Sequence, residues 1–169
     1  NKSWTITADI EVPDASKGGK AEGMIVTHGG LEGGYGLYLR DGKPTFVYNF
    51  LSIERTTFAA KEPLKKGKAK IVVDFKYDGG GMGKGGKVTV SANGKTLAEG
   101  RLERTIPIQF SLGEGLDVGM DVGSPIDFTY ALPFAFTGTV EKVHVKLGKM
   151  DIGKPNRAAA AARKKAAVD

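Results

Sequence analysis

The chain has 169 residues and a mass of 17.9 kDa, one domain's worth and long enough to bury a core. With 40% hydrophobic and 26% charged residues it is not a disordered polymer, and no apolar run approaches the ~20 residues of a membrane-spanning helix. Of the formal charge of +6, residues 153–169 supply +4 (Lys154, Arg157, Arg163, Lys164 and Lys165 against Asp169); the near-neutral remainder excludes the basic stripe of a nucleic-acid binder.

In chain order, the first element is a strand. Trp4, Ile6, Ala8, Ile10 and Val12 alternate with Thr5, Thr7, Asp9 and Glu11, the period of a half-buried strand. Asp41-Gly42 separates two further runs, Tyr35–Arg40 and Pro44–Phe50. Lys66-Gly67 precedes a strand in which Ile71, Val73, Phe75 and Tyr77 share a face. Val88, Val90 and Ala92 share another, and Asn93-Gly94 turns the chain into Lys95–Arg101. Both dipeptides tolerate the positive φ of tight hairpins. Ile106, Ile108, Phe110 and Leu112 predict one more strand.

The last strand changes parity. Phe134, Phe136, Gly138 and Val140 share one face; Val143, Val145 and Leu147 share the other. One side can stay buried only if a bulge falls at Glu141-Lys142. Ten to twelve strands and no amphipathic helix before residue 153 predict an all-β sandwich or barrel. The expected organisation is a β-sandwich domain over 1–152 and a basic, alanine-rich tail over 153–169. Asn156 can cap a short, weakly docked helix in that tail.

Cysteine is absent, which excludes disulfides, thiolate metal sites and a cysteine nucleophile. The loop Asp78–Lys87 contains G-x-G-x-x-G at Gly81, Gly83 and Gly86, but a strand follows where phosphate binding needs a helix N-terminus, so a flexible hairpin loop is expected. Asp117 and Asp121 repeat in tandem [LM]-D-V-G units and are the candidate calcium ligands, with Asp127 nearby. Backbone turn bonds compete for the same carboxylates. His28 and His144 read as separate surface histidines. Glu11, Glu54 and Glu103 read as surface ion-pairing residues, and the motifs E-x-D-x-x-E and G-x-S-x-G are both absent, so no catalytic constellation is expected. Tyr38 shares parity with Arg40 and opposes Leu37 and Leu39; an exposed Tyr38 beside Arg40 is the candidate carbohydrate platform.

Longer phrases carry a resemblance. Asn1–Ile10 followed by Ala21–Val26, then Gly34–Pro44 running into Val47–Leu51, resemble the start of the C-terminal region of bacterial arylsulfatases. So do Phe75–Gly81 with Gly83–Gly86, Gly100–Thr105, Leu116–Gly119, Phe136–Val140 and the Ala- and Lys-rich tail. The resemblance covers essentially the whole chain. It implies a concanavalin-like or jelly-roll sandwich placed after an α/β catalytic domain that hydrolyses sulfate esters with a formylglycine and a calcium ion. It also implies a periplasmic or secreted parent. Formylglycine arises in a C/S-x-P-x-R motif, and Ser124-Pro125 lacks both the intervening residue and the Arg. No catalytic residue carries over.

Asn1 stands in place of an initiator Met, so a fragment or processed chain is expected, with any targeting segment upstream. The fragment alone is expected to be inactive and to pack on the catalytic domain of its parent. The rival expectation is a lectin-like module that recruits a sulfated glycan.

Overall fold

The computed structural model describes residues 1–14, 21–111, 113–151 and 153. The expected C-terminal helix and Leu112 lie outside those residues. Ten strands form two five-stranded antiparallel sheets: β1 (Trp4–Val12), β2 (Gly23–Gly30), β3 (Gly33–Arg40), β4 (Lys43–Phe50), β5 (Glu54–Ala59), β6 (Gly67–Tyr77), β7 (Lys84–Ala92), β8 (Lys95–Arg104), β9 (Leu116–Val118) and β10 (Thr139–Leu147). The first sheet runs β10-β1-β6-β7-β8 and the second β5-β4-β3-β2-β9. The all-β sandwich expected from the alternation is present, and no helix occurs among the described residues.

The inner faces follow the period-2 pattern. Ile6, Ala8, Ile10, Ile71, Val73, Phe75, Val88 and Val90 pack from the first sheet against Ile25, Leu37, Leu39, Phe46 and Tyr48 of the second. The hairpin dipeptides behave as their chemistry dictates. Asp41 and Gly42 take φ of 50° and 76°, Asn93 and Gly94 take 49° and 81°, the left-handed pair that joins twisted strands in a two-residue turn. The bulge is also where the parity change requires it. Asp9 faces Lys142 while Ile10 faces Val140, so Glu141 is the extra residue and both halves of β10 keep their apolar side inward.

Two segments depart from the sequence expectation. Ile106–Phe110 is not a strand. Pro107 has no N–H for a ladder, and the chain leaves β8 to cross the end of the sandwich. Ile108 is 88% exposed as a result. The second departure is residues 119–138, a long irregular strap on the outer face of the second sheet. Gly119 donates to the Ile25 carbonyl (3.0 Å), Met24 to Phe134 (3.1 Å) and Thr137 to Glu22 (2.8 Å). Gly23, at φ 114°, lets the strap approach: a Cβ there would sit 2.0 Å from the Ala135 carbonyl oxygen.

The strap explains why β3 and β4 are buried on both faces. Met24, Tyr38, Val47 and Ile126 form a second apolar cluster beneath it, with Tyr130 and Phe134 packed on top. Tyr38 is therefore 1% exposed, not the open platform its parity predicts. Alternation reports two faces of a strand; it does not report that a distant segment covers the outer one.

Candidate functional site

The crossing of residues 105–110 leaves a cleft of about 380 Å³ between the ends of the two sheets. That is the lower end of the size range of small-molecule sites. β1 contributes Trp4 and Ile6, β2 His28, β3 Tyr35, β4 Tyr48, β6 Phe75, and the crossing segment Ile106 and Phe110.

The walls are a connected set of rings. Trp4 stacks on Tyr35 with centroids 5.7 Å apart, and Trp4 also meets Phe75 at 5.3 Å. Phe110 meets His28 (5.2 Å), Tyr35 (5.5 Å) and Tyr48 (6.1 Å) in edge-to-face geometry. Such edge-to-face pairs fix ring positions beyond simple burial. The Tyr48 hydroxyl accepts the Ile106 amide (2.8 Å) and ties the crossing segment to β4.

Burial pushes the Tyr35 hydroxyl up to about 12 and raises that of Tyr48 further, so both are neutral donors or acceptors at any ordinary pH. Burial lowers the His28 imidazole below its ordinary value, so it is neutral at pH 7. His28 is thus half-buried among rings and not the lone surface histidine expected, whereas His144 is exposed opposite Thr7.

Polar groups sit at the mouth. Asn1, Lys2 and Gln109 line it, Thr105 lies buried in the wall with its hydroxyl on the Lys84 carbonyl (2.8 Å), and Lys2 has the one charged side chain among the described lining residues. None of those residues is Asp or Glu, so the cleft holds no carboxylate pair for glycoside hydrolysis. The arrangement can bind a ring by its apolar faces and meet its polar rim.

The glycine loop is pinned at the side of this cleft. Gly83 donates to Asn1 Oδ1 (2.7 Å) and Lys84 donates its amide to the Tyr77 hydroxyl (2.9 Å). The Gly80 amide donates to Asp151 Oδ2 (3.1 Å). The N–H that a phosphate would need is taken by a carboxylate of the same chain, and these bonds restrain a loop expected to be flexible. They also hold Asp151 below the usual carboxylate range, the Gly153 amide contributing most.

The strap carries the other sequence candidates. The buried Tyr38 hydroxyl donates to Asp127 Oδ2 (2.8 Å), and Arg40 is exposed at the end of β3, so no platform forms with it. Asp117 lies on β9 opposite Thr27. Asp121 is buried and accepts the Tyr130 hydroxyl. Burial raises the Asp121 carboxyl, and the charges of Glu114 and Asp117 add to that. Among the described residues no three His, Cys, Asp or Glu side chains gather as a metal set. Asp117 and Asp121 thus have no third side-chain ligand of these types among the described residues, and the C/S-x-P-x-R motif of the resemblance does not occur in the sequence. Glu54 and Glu103 pair with Arg104 (3.3 Å) and Arg101 (3.7 Å), the surface role expected of them.

Sequence reasoning missed Arg55. Its Nε donates to the Ile126 carbonyl (3.1 Å), its Cζ lies 4.2 Å over the Phe128 ring, and its Nη2 is buried without a partner. A buried unpaired donor costs about 1–3 kcal/mol. Period-2 position next to Asn49 was the available signal for its outward face.

No family model matches the chain, and no curated protein matches it. Solved structures do share the architecture. The CBM40 of Ruminococcus gnavus IT-sialidase, bound to α2,6 sialyllactose, superposes with a TM-score of 0.55 at 12% identity, over 94% of this chain and 82% of that one. The mouse laminin α1 chain domains LG4-5 give 0.57 at 13% identity, over 86% of this chain and 36% of that one. A SAP-like pentraxin from Limulus polyphemus gives 0.50 at 11% identity, over 85% of this chain and 63% of that one. The chain thus spans under two thirds of the pentraxin and laminin chains. The fold is that of the jelly-roll, concanavalin-like β-sandwiches.

Among the described residues no helix is long and apolar enough to cross a membrane.

Proposed function

We propose that this sandwich is a non-catalytic carbohydrate-binding module of a sulfate-ester hydrolase, holding a sulfated glycan in the end cleft. The observation that carries the binding role is the ring-walled cleft with Asn1, Lys2 and Gln109 at its mouth and no carboxylate in its lining. Apolar ring faces match the C–H faces of a sugar, and Lys2 matches a sulfate. The fold shared with a CBM40 bound to sialyllactose supports a glycan as ligand class. The sulfatase parent, its calcium and formylglycine, and its periplasmic or secreted setting rest on the sequence resemblance alone.

Calorimetric titration with sulfated and unsulfated oligosaccharides tests the reading. Saturable binding that weakens about tenfold in Phe110→Ala, a loss of ~1.4 kcal/mol, is expected. Sulfate preference should fall in Lys2→Ala. Absence of glycan binding, or turnover of an aryl sulfate by the sandwich itself, overturns it.

One observation favours a second role, packing on the catalytic domain of the parent. Ile108, Leu116, Leu147 and Met150 are exposed around the cleft mouth and make an apolar rim. Under this reading Ile108→Asp breaks association with the catalytic domain and leaves glycan binding unaffected.

A further inference from the structure

Arg55 projects from the outer face of β5, where the strap ends its cover of the second sheet. Two contacts and one unpaired donor define its state. The Nε bond to the Ile126 carbonyl holds the guanidinium in place (3.1 Å). The Phe128 ring lies against its face (4.2 Å). Nη2 is sealed from solvent and donates to nothing.

Neighbouring acids are engaged elsewhere. Glu54, on the opposite face of β5, reaches Arg104 (3.3 Å). Asp127 Oδ2 accepts both the Tyr38 hydroxyl (2.8 Å) and the Thr129 hydroxyl (2.9 Å). Thr57, two residues along β5, shares the face of Arg55 and is exposed.

The ring against the guanidinium is a movable one. Phe128 is 69% exposed and belongs to neither apolar cluster. Its ring can swing about its own side-chain torsions without disturbing the strap backbone. Doing so opens one face of a fixed guanidinium with an unused donor, for which an anion is a stronger partner than a neutral acceptor.

We propose that Arg55, with Thr57 beside it and Phe128 as its cover, is a subsite for an oxyanion carried on a sugar ring, a sulfate ester or a carboxylate. The sugar rests on the carbohydrate reading above; the oxyanion does not, and the residues are separate from those of the end cleft.

The test is titration of the whole chain with glucose 6-sulfate, glucuronate and glucose, followed in every variant by calorimetry and the Thr57 backbone amide resonance and, where Arg55 is present, by its side-chain Nε–H resonance. Saturable shifts with one or both anionic sugars and none with glucose are expected; the tighter of the two names the substituent. Arg55→Gln should weaken binding at least tenfold and Arg55→Lys by less, since an ammonium lacks the planar fork. Phe128→Ala should bind as well as or better than the parent. Urea midpoints check that each variant is folded, and Phe128→Ala stays informative if Arg55→Gln is not. No shift with either anionic sugar, or binding that survives in Arg55→Gln, overturns the proposal. Loss of binding in Phe110→Ala for cleft glycans, with the Arg55 shifts intact, keeps the two sites distinct. Arg55 shifts without any cleft binding would remove the cleft reading and leave this one standing.

Discussion

Replacing Tyr38 by Phe tests whether the strap is clamped to the second sheet as described. The substitution keeps the ring against Tyr130 (5.5 Å) and Phe134 (5.8 Å) and removes one hydroxyl. That hydroxyl donates to Asp127 Oδ2 at 2.8 Å, and both residues are buried. A hydrogen bond to a charged acceptor contributes about 1.5–3 kcal/mol. Asp127 keeps the Thr129 hydroxyl at 2.9 Å, which places the loss toward the lower half of that range. For a chain of this length each kcal/mol moves Tm by about 2–4 °C, so a fall of about 3–8 °C is expected. Tyr38→Ala adds a cavity beneath two stacked rings and should cost at least ~3 kcal/mol. Urea denaturation reads both, with the midpoint falling and the slope unchanged. A Tyr38→Phe variant within ~0.5 kcal/mol of the parent would refute the reasoning, because that is the cost at an exposed position.

The strap has a pH signature. Burial raises the Asp121 carboxyl in the folded state, so the folded protein holds that proton more tightly than the unfolded chain. Stability from this group therefore rises as pH falls from the raised folded value toward the ordinary aspartate value, and declines on the way back up. Asp121→Asn should remove that slope and be as stable as the parent, or more so, at pH 7, read by thermal melts across the acid range. At the other end of the strap, Gly23→Ala drives a Cβ into the Ala135 carbonyl and should destabilise by ~2 kcal/mol or more in urea, whereas an alanine at the open Gly94 position meets no neighbouring atom and pays only for its φ. Asp151→Ala frees the Gly80 amide, and its hydrogen exchange should accelerate while that of β6 and β7 does not.

The sandwich was legible in the sequence because its signals are local. Alternation over Trp4–Val12 and Ile71–Tyr77, the Asp41-Gly42 and Asn93-Gly94 turns, and the parity change resolved at Glu141 each need only a few adjacent residues. The candidate site was not legible because it is made by two non-local events. Pro107 diverts a strand-like run across the sandwich end, bringing Phe110 against His28, Tyr35 and Tyr48. The strap, from far along the chain, buries Tyr38 and leaves Arg55 at its border. Periodicity gives the two faces of a strand; which segment covers a face depends on packing between residues some ninety positions apart.

The glycan-binding role requires the end cleft to be a ligand site, and Trp4, the chain's one tryptophan, is in its wall. Its emission can be followed while a sulfated oligosaccharide is added. A saturable change that Phe110→Ala weakens about tenfold is the predicted result. Emission that stays constant while calorimetry registers binding elsewhere, or no binding by either method, would contradict it.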